Sequence, residues 1–154
     1  MPTAKTTGER RHCLGLDQTA ANDFINQHEF ISLGCYCATT FGLQLLDLRG
    51  PAQPFDWTRT PLDGIVRCLD EGFQNFLTYS AFCDTNQHPV FLGSSWGGSF
   101  WHHDLNNPNT HKVFGRRIAR FLGLAEVACD RPRVFIRLVN HTGELCPLVA
   151  VVRL

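Results

Sequence analysis

The segment Phe30-Ile31-Ser32-Leu33-Gly34-Cys35-Tyr36-Cys37 constrains this chain more than any other. A short apolar run of strand character stops at a glycine. Cys37, Phe41, Gln44, Leu45 and Leu48 then fall at i, i+4, i+7, i+8 and i+11, one face of a helix. Strand, tight turn and helix in direct succession call for a domain of mixed structure. The helix should end near Gly50-Pro51.

The rest of the chain supplies partners for that unit. A short helix is expected over 17–27, with Ala20, Ala21 and Phe24 on its apolar side. Thr60-Pro61-Leu62-Asp63 places a cap residue, a proline at the first helical position and an acid in the first turn, so a helix should follow. Its buried side is expected from Ile65, Val66, Leu69, Phe73 and Phe76, with a break at Gly72. Residues 80–109 are rich in glycine, proline and aromatic residues and read as short strands and long loops, where function often sits. The spacing predicts a helix over 110–124, with Val113, Phe114, Ile118, Phe121 and Leu122 inward. The near-continuous apolar run 134–139 predicts a strand at the centre of a sheet. The fold class is α+β, or a layered α/β arrangement, with a short central sheet flanked by helices.

At 154 residues and 44% hydrophobic content the chain can bury one core, and two domains would be crowded. Residues 1–28 read as an N-terminal tail with the possible short helix, and 29–154 as the domain. The stop at Val149-Ala150-Val151-Val152-Arg153-Leu154 fits either an element cut short or a buried final strand. Lys and Arg (14) balance Asp and Glu (14), so no net field draws the chain to nucleic acid or an anionic membrane. Seven cysteines at irregular spacing suit reduced thiols better than a disulfide framework. With no apolar run of about 20 residues and no apolar leader, a soluble cytoplasmic protein is expected. Lys5, Arg10 and Arg11 in the Thr-rich N-terminus leave an organellar address open.

The chemistry centres on Cys37. A cysteine in the first turn of a helix lies beside unpaired N–H groups and the positive end of the helix dipole, and these favour negative charge on sulfur. The same N–H groups can steady an oxyanion. A buried, inert thiol is the bland alternative for any single cysteine. Phe100-Trp101-His102-His103-Asp104 raises the odds of chemistry, because a thiolate needs an imidazole partner. Adjacent histidines on a strand point to opposite faces, so only one of His102 and His103 can aim at Cys37. The expected partner is His103, the one followed by an acid. Trp57, Trp96 and Trp101 are candidates to line a substrate groove, and packing is the alternative for each.

These residues resemble the family described as papain-like cysteine peptidases. Its Ser-Leu-Gly-x-x-Cys opening appears as Ser32-Leu33-Gly34-Cys35-Tyr36-Cys37, its Pro-Phe-Asp-Trp block as Pro54-Phe55-Asp56-Trp57, and its His-Asp pair as His103-Asp104. The resemblance runs over 29–139 and implies a papain-like domain, a Cys37–His103 hydrolase and a peptide or protein substrate. It leaves the group that orients the imidazole open among Asp56, which is favoured, Asp104 and Glu144. No cofactor and no metal is expected.

Two other classes compete. An inactive domain of the same fold would use the aromatic loop to hold a peptide or glycan. A zinc module would join Cys35 and Cys37 to His88, His102, His103 or His111, although a one-residue spacing departs from the usual knuckle. A Cys35–Cys37 redox pair would also lack the Cys-x-x-Cys motif. Asn140-His141-Thr142 reads as a turn, and Cys68, Cys83, Cys129 and Cys146 as packing residues or incidental thiols. Oligomeric state is not legible.

Overall fold

The computed structural model describes residues 4–84, 89–124, 131–139 and 142–144. The chain is α+β, as expected, but its strands form two small sheets in place of one central sheet. Strand β1 (Glu29–Ser32) pairs in parallel with β6 (Arg133–Ile136), with Glu29 opposite Arg133 and Ser32 opposite Ile136. The second sheet is antiparallel in the order β2 (Thr58–Arg59), β5 (Ser99–Phe100), β4 (Pro89–Leu92), β3 (Ala81–Asp84). Among the described residues β6 pairs with β1 alone, and Phe135 is half exposed. Continuous apolarity indicates that both faces of a strand are sticky, and it does not name the neighbours.

Among the described residues five α-helices flank these sheets: α1 (Thr7–Cys13), α2 (Thr19–Gln27), α3 (Cys37–Leu45), α4 (Leu62–Asp70) and α5 (Pro108–Phe121). Helix α1 occupies what the sequence suggested was tail. Thr6 Oγ1 accepts the Glu9 N–H at 3.2 Å and Glu9 accepts the Thr6 N–H at 2.6 Å, a reciprocal cap legible as Thr-x-x-Glu. Arg10 and Arg11 then donate to the carbonyls of Leu45 and Leu46 at 2.8 Å, so α1 covers the open C-terminal end of α3.

Two helix starts differ from expectation by one or two residues. Pro61 has extended backbone (φ −70°, ψ 154°) and is itself the cap of α4, while the Thr60 hydroxyl bonds that of Thr58 at 2.7 Å. Helix α5 begins at Pro108 because Asn107 accepts the Asn109 N–H at 2.9 Å. Proline's fixed φ suits either a cap or a first helical turn, and only the packed backbone decides between them.

The core lies between the antiparallel sheet, α4 and α5 and is mostly aromatic, built on Phe55, Phe73, Phe76, Trp96, Phe100 and Phe114. Ring centroids stand 5.1–5.9 Å apart, chiefly edge to face. Helix α4 buries Leu62, Ile65 and Cys68, while Leu69, expected inside, faces out at 41% exposure. Leu122, also expected inside, is 41% exposed one residue past the end of α5. Among the described residues no helix is long and apolar enough to cross a membrane.

Candidate active site

The turn from β1 to α3 is held at every step. The Gly34 N–H donates to Ser32 Oγ at 3.1 Å, Thr39 Oγ1 donates to the Gly34 carbonyl at 2.9 Å, and the Ser32 and Thr40 hydroxyls bond each other at 3.1 Å. Gly34 has φ +70°, and a Cβ there would stand 2.6 Å from Thr60 Oγ1, so both conformation and space demand glycine. Cys35 follows at φ +86°, an uncommon conformation for a residue with a side chain. Its carbonyl accepts the Thr60 N–H at 3.4 Å and its side chain is buried. Two left-handed residues in succession turn the chain sharply, so Cys37 opens α3 with an exposed thiol. Tyr36, the cap residue, makes no side-chain cap bond to the first-turn N–H groups.

Cys37 lines an apolar-walled cavity of about 290 Å³ with Tyr36, Trp57, Arg59, Trp101 and His102. The His102 ring sits edge-on to Trp57 with centroids 5.6 Å apart. The two histidines therefore separate as adjacent side chains do, and it is His102 that shares the cavity with the thiol. His103 turns inward onto Phe114, at 4.9 Å between centroids, and its Nε2 accepts from Arg117 Nη1 at 3.1 Å. Arginine offers only donors, so the neutral ring carries its proton on Nδ1, which is buried without a hydrogen-bond partner among the described residues. An imidazole placed this way presents no accessible nitrogen to a substrate.

Burial, aided by the Arg117 guanidinium, pushes the His103 pKa down from 6.5 to about 4. The unfolded chain then takes up a proton in that interval that the folded chain refuses. Stability present above pH 6.5 should fall as pH drops toward 4, by about 2 kcal/mol from this residue after allowance for residual solvent screening. Urea unfolding of wild type and His103→Gln at several pH values checks this. The expected result is a flatter profile for the variant, and parallel profiles would refute it.

The acids considered as orienting groups are engaged elsewhere. Asp56 is 2% exposed and accepts from Thr40 Oγ1 at 3.1 Å, the Gln53 N–H at 3.0 Å and Arg49 at 2.9 and 3.3 Å. Asp104 accepts the Asn106 N–H at 2.9 Å in its own turn. Glu144 pairs with Arg137 at 2.8 Å. Trp96, expected in a groove, is a core residue: it stacks on Phe76 and donates from Nε1 to the Phe76 carbonyl at 2.7 Å. Trp57 and Trp101 do line the cavity.

Sequence reasoning passed over Tyr36 and Arg59. The alternation within β2 was the available signal for Arg59, because a buried Thr58 leaves Arg59 facing out. Burial pushes the Cys68 thiol up to about 12, aided by Glu71, as befits a packing residue. Among the described residues no three His, Cys, Asp or Glu side chains gather to hold a metal ion. His88, Cys129, Cys146, the 140–141 part of the Asn-His-Thr turn and the apolar run 149–154 lie outside the described residues.

The sequence profile of a family described as "Putative papain-like cysteine peptidase" matches residues 28–153. An uncharacterised protein of Acanthamoeba polyphaga mimivirus is 32% identical over 75 residues, which cover 46% of this chain and 34% of that relative. The match thus spans about a third of the relative's length. No solved structure matches.

Proposed function

The chain belongs to the family described as "Putative papain-like cysteine peptidase", and from that premise we propose that it is a thiol hydrolase of peptide or protein substrates, with Cys37 as nucleophile and His102 as its acid–base partner. The observation that carries this reading is the cavity shared by an exposed Cys37, at the first position of a helix, and His102. His103 was the partner expected from the sequence. The guanidinium on its Nε2 and the burial of its Nδ1 favour His102 instead.

His102 takes the thiol proton, and the thiolate attacks the substrate carbonyl to give a tetrahedral adduct. Its oxyanion lies by the first-turn N–H groups of α3, where preformed dipoles meet the developing charge. The imidazolium returns its proton to the leaving group as the scissile bond breaks. Water, deprotonated by His102, then releases the acyl group and restores the thiol. The first step is common to peptide and isopeptide hydrolysis, deamidation and acyl transfer.

Iodoacetamide alkylation of Cys37, followed by mass spectrometry from pH 5 to 9, tests the pair. At pH 6, His102→Ala should slow labelling by about tenfold or more, because an imidazole partner is what favours thiolate at that pH. His103→Ala and a Cys35→Ser control should leave the profile in place. A profile indifferent to His102 defeats the catalytic pair. Trp57 and Trp101 would then make the cavity a binding site for an apolar group, the reading of an inactive domain.

A further inference from the structure

Arg59 stands at a junction that the proposed chemistry does not use. It lines the apolar cavity of Cys37 and also a second, polar cavity of about 510 Å³ whose walls include Thr60, Gly97, Ser99, Arg137 and Glu144. Its guanidinium lies over the Tyr36 ring, 5.6 Å from the centroid, which fixes a long side chain beside the residue preceding Cys37. The charges of the second cavity are unequal in availability. Arg137 is 3% exposed, pairs with Glu144 at 2.8 Å and donates to the carbonyls of Thr60 and Leu33 at 2.9 and 3.3 Å, so its donors are directed inward. Arg59 is exposed, and no carboxylate pairs with it among the described residues.

We infer that Arg59 selects substrate: the cleft takes a peptide in which an apolar side chain enters the Cys37 cavity and an adjacent acidic residue binds the Arg59 guanidinium. This deepens the thiol-hydrolase reading and rests on it. The guanidinium matches a carboxylate in two parallel hydrogen bonds, which a Lys or a neutral side chain cannot copy. The aromatic walls of Trp57 and Trp101 suit an apolar group. Gly97, where an added Cβ would meet only Pro61 at 3.4 Å, leaves its part of the second cavity's wall open for the continuing peptide backbone. Arg59 acts by holding substrate and not on the reacting bond.

The test uses the full chain carrying Cys37→Ala, so that nothing is turned over, and fluorescein-labelled hexapeptides read by anisotropy. The probes hold Phe beside Asp, Asn or Lys, in both orders, between glycines. An ion pair on an accessible guanidinium is worth up to about 1 kcal/mol, so one Asp probe should bind roughly fivefold more tightly than its Asn counterpart. That preference should vanish in Arg59→Gln, turn toward Lys in Arg59→Glu, and shrink in 0.5 M salt. Equal binding of Asp and Asn probes, no binding by either, or a preference retained in Arg59→Gln overturns the inference. Circular dichroism of each variant confirms the fold, which an exposed residue should not disturb.

Cys37 alkylation with and without His102, read beside the peptide binding, keeps the two readings apart. Labelling that depends on His102 beside equal binding of Asp and Asn probes with Arg59 in place removes the selection and leaves the thiol hydrolase. An Asp preference beside labelling that ignores His102 keeps the peptide site and removes the hydrolase.

Discussion

Asp56→Ala should destabilise the chain by about 3–5 kcal/mol, enough to unfold much of a domain of ordinary stability near room temperature. The carboxylate is 2% exposed and accepts from Thr40, from the Gln53 N–H and twice from Arg49. Removing it leaves the partly buried Arg49 charge and two donors without their acceptor, and the desolvation they suffered on folding is no longer offset. Thr40 also bonds Ser32, so the damage runs directly to the turn that presents Cys37. Urea unfolding measures the loss, and Arg49→Met combined with Asp56→Leu should cost clearly less than the two changes added, since neither charge is then stranded. A loss below 1 kcal/mol together with altered Cys37 alkylation would instead return Asp56 to the role of orienting acid.

Phe76→Ala should cost about 3–5 kcal/mol as well, through the cavity it opens. Phe76 is 1% exposed, and its ring meets those of Phe55, Phe73, Trp96, Phe100 and Phe114 at 5.1–5.7 Å between centroids. It joins the segment after α4 to β5 and α5, so no single neighbour can move in to fill the space without dragging another element. Trp96 would lose its stacking partner, and Gly98, whose absent side chain leaves room for the Trp96 indole, sits in the wall of the cavity that Arg59 lines. Leu69→Ala on the outer face of α4 is the control and should change stability by at most about 0.5 kcal/mol. Comparable losses for the two variants would mean that the aromatic cluster is not the centre of the core. Retained Cys37 alkylation in the folded fraction of Phe76→Ala is expected too, because the thiol belongs to the β1–α3 turn.

The sequence by itself determined the local grammar. Gly34 between an apolar run and a helical face specified strand, turn and helix, because glycine adopts the left-handed conformation there without steric cost. The amphipathic spacing after Asn107 specified α5, and Thr6 with Glu9 specified the cap of α1, although that signal was outweighed by the polar composition around it. Each of these depends on groups within four residues of one another, which is the range over which backbone hydrogen bonds and capping act.

Only the tertiary structure decided the rest. It settled which strands pair, since continuous apolarity in β6 carries no address for its neighbour. It sent Trp96 into the core and Trp57 to the cavity, though both are large aromatic residues in glycine- or proline-rich surroundings. It also divided two adjacent histidines, placing His103 under Arg117 and Phe114 and His102 beside Cys37. The physical reason is the same in each case. A side chain's chemistry is written in the sequence, but its partners come from segments tens of residues away, and burial and charge take effect only once those segments have met.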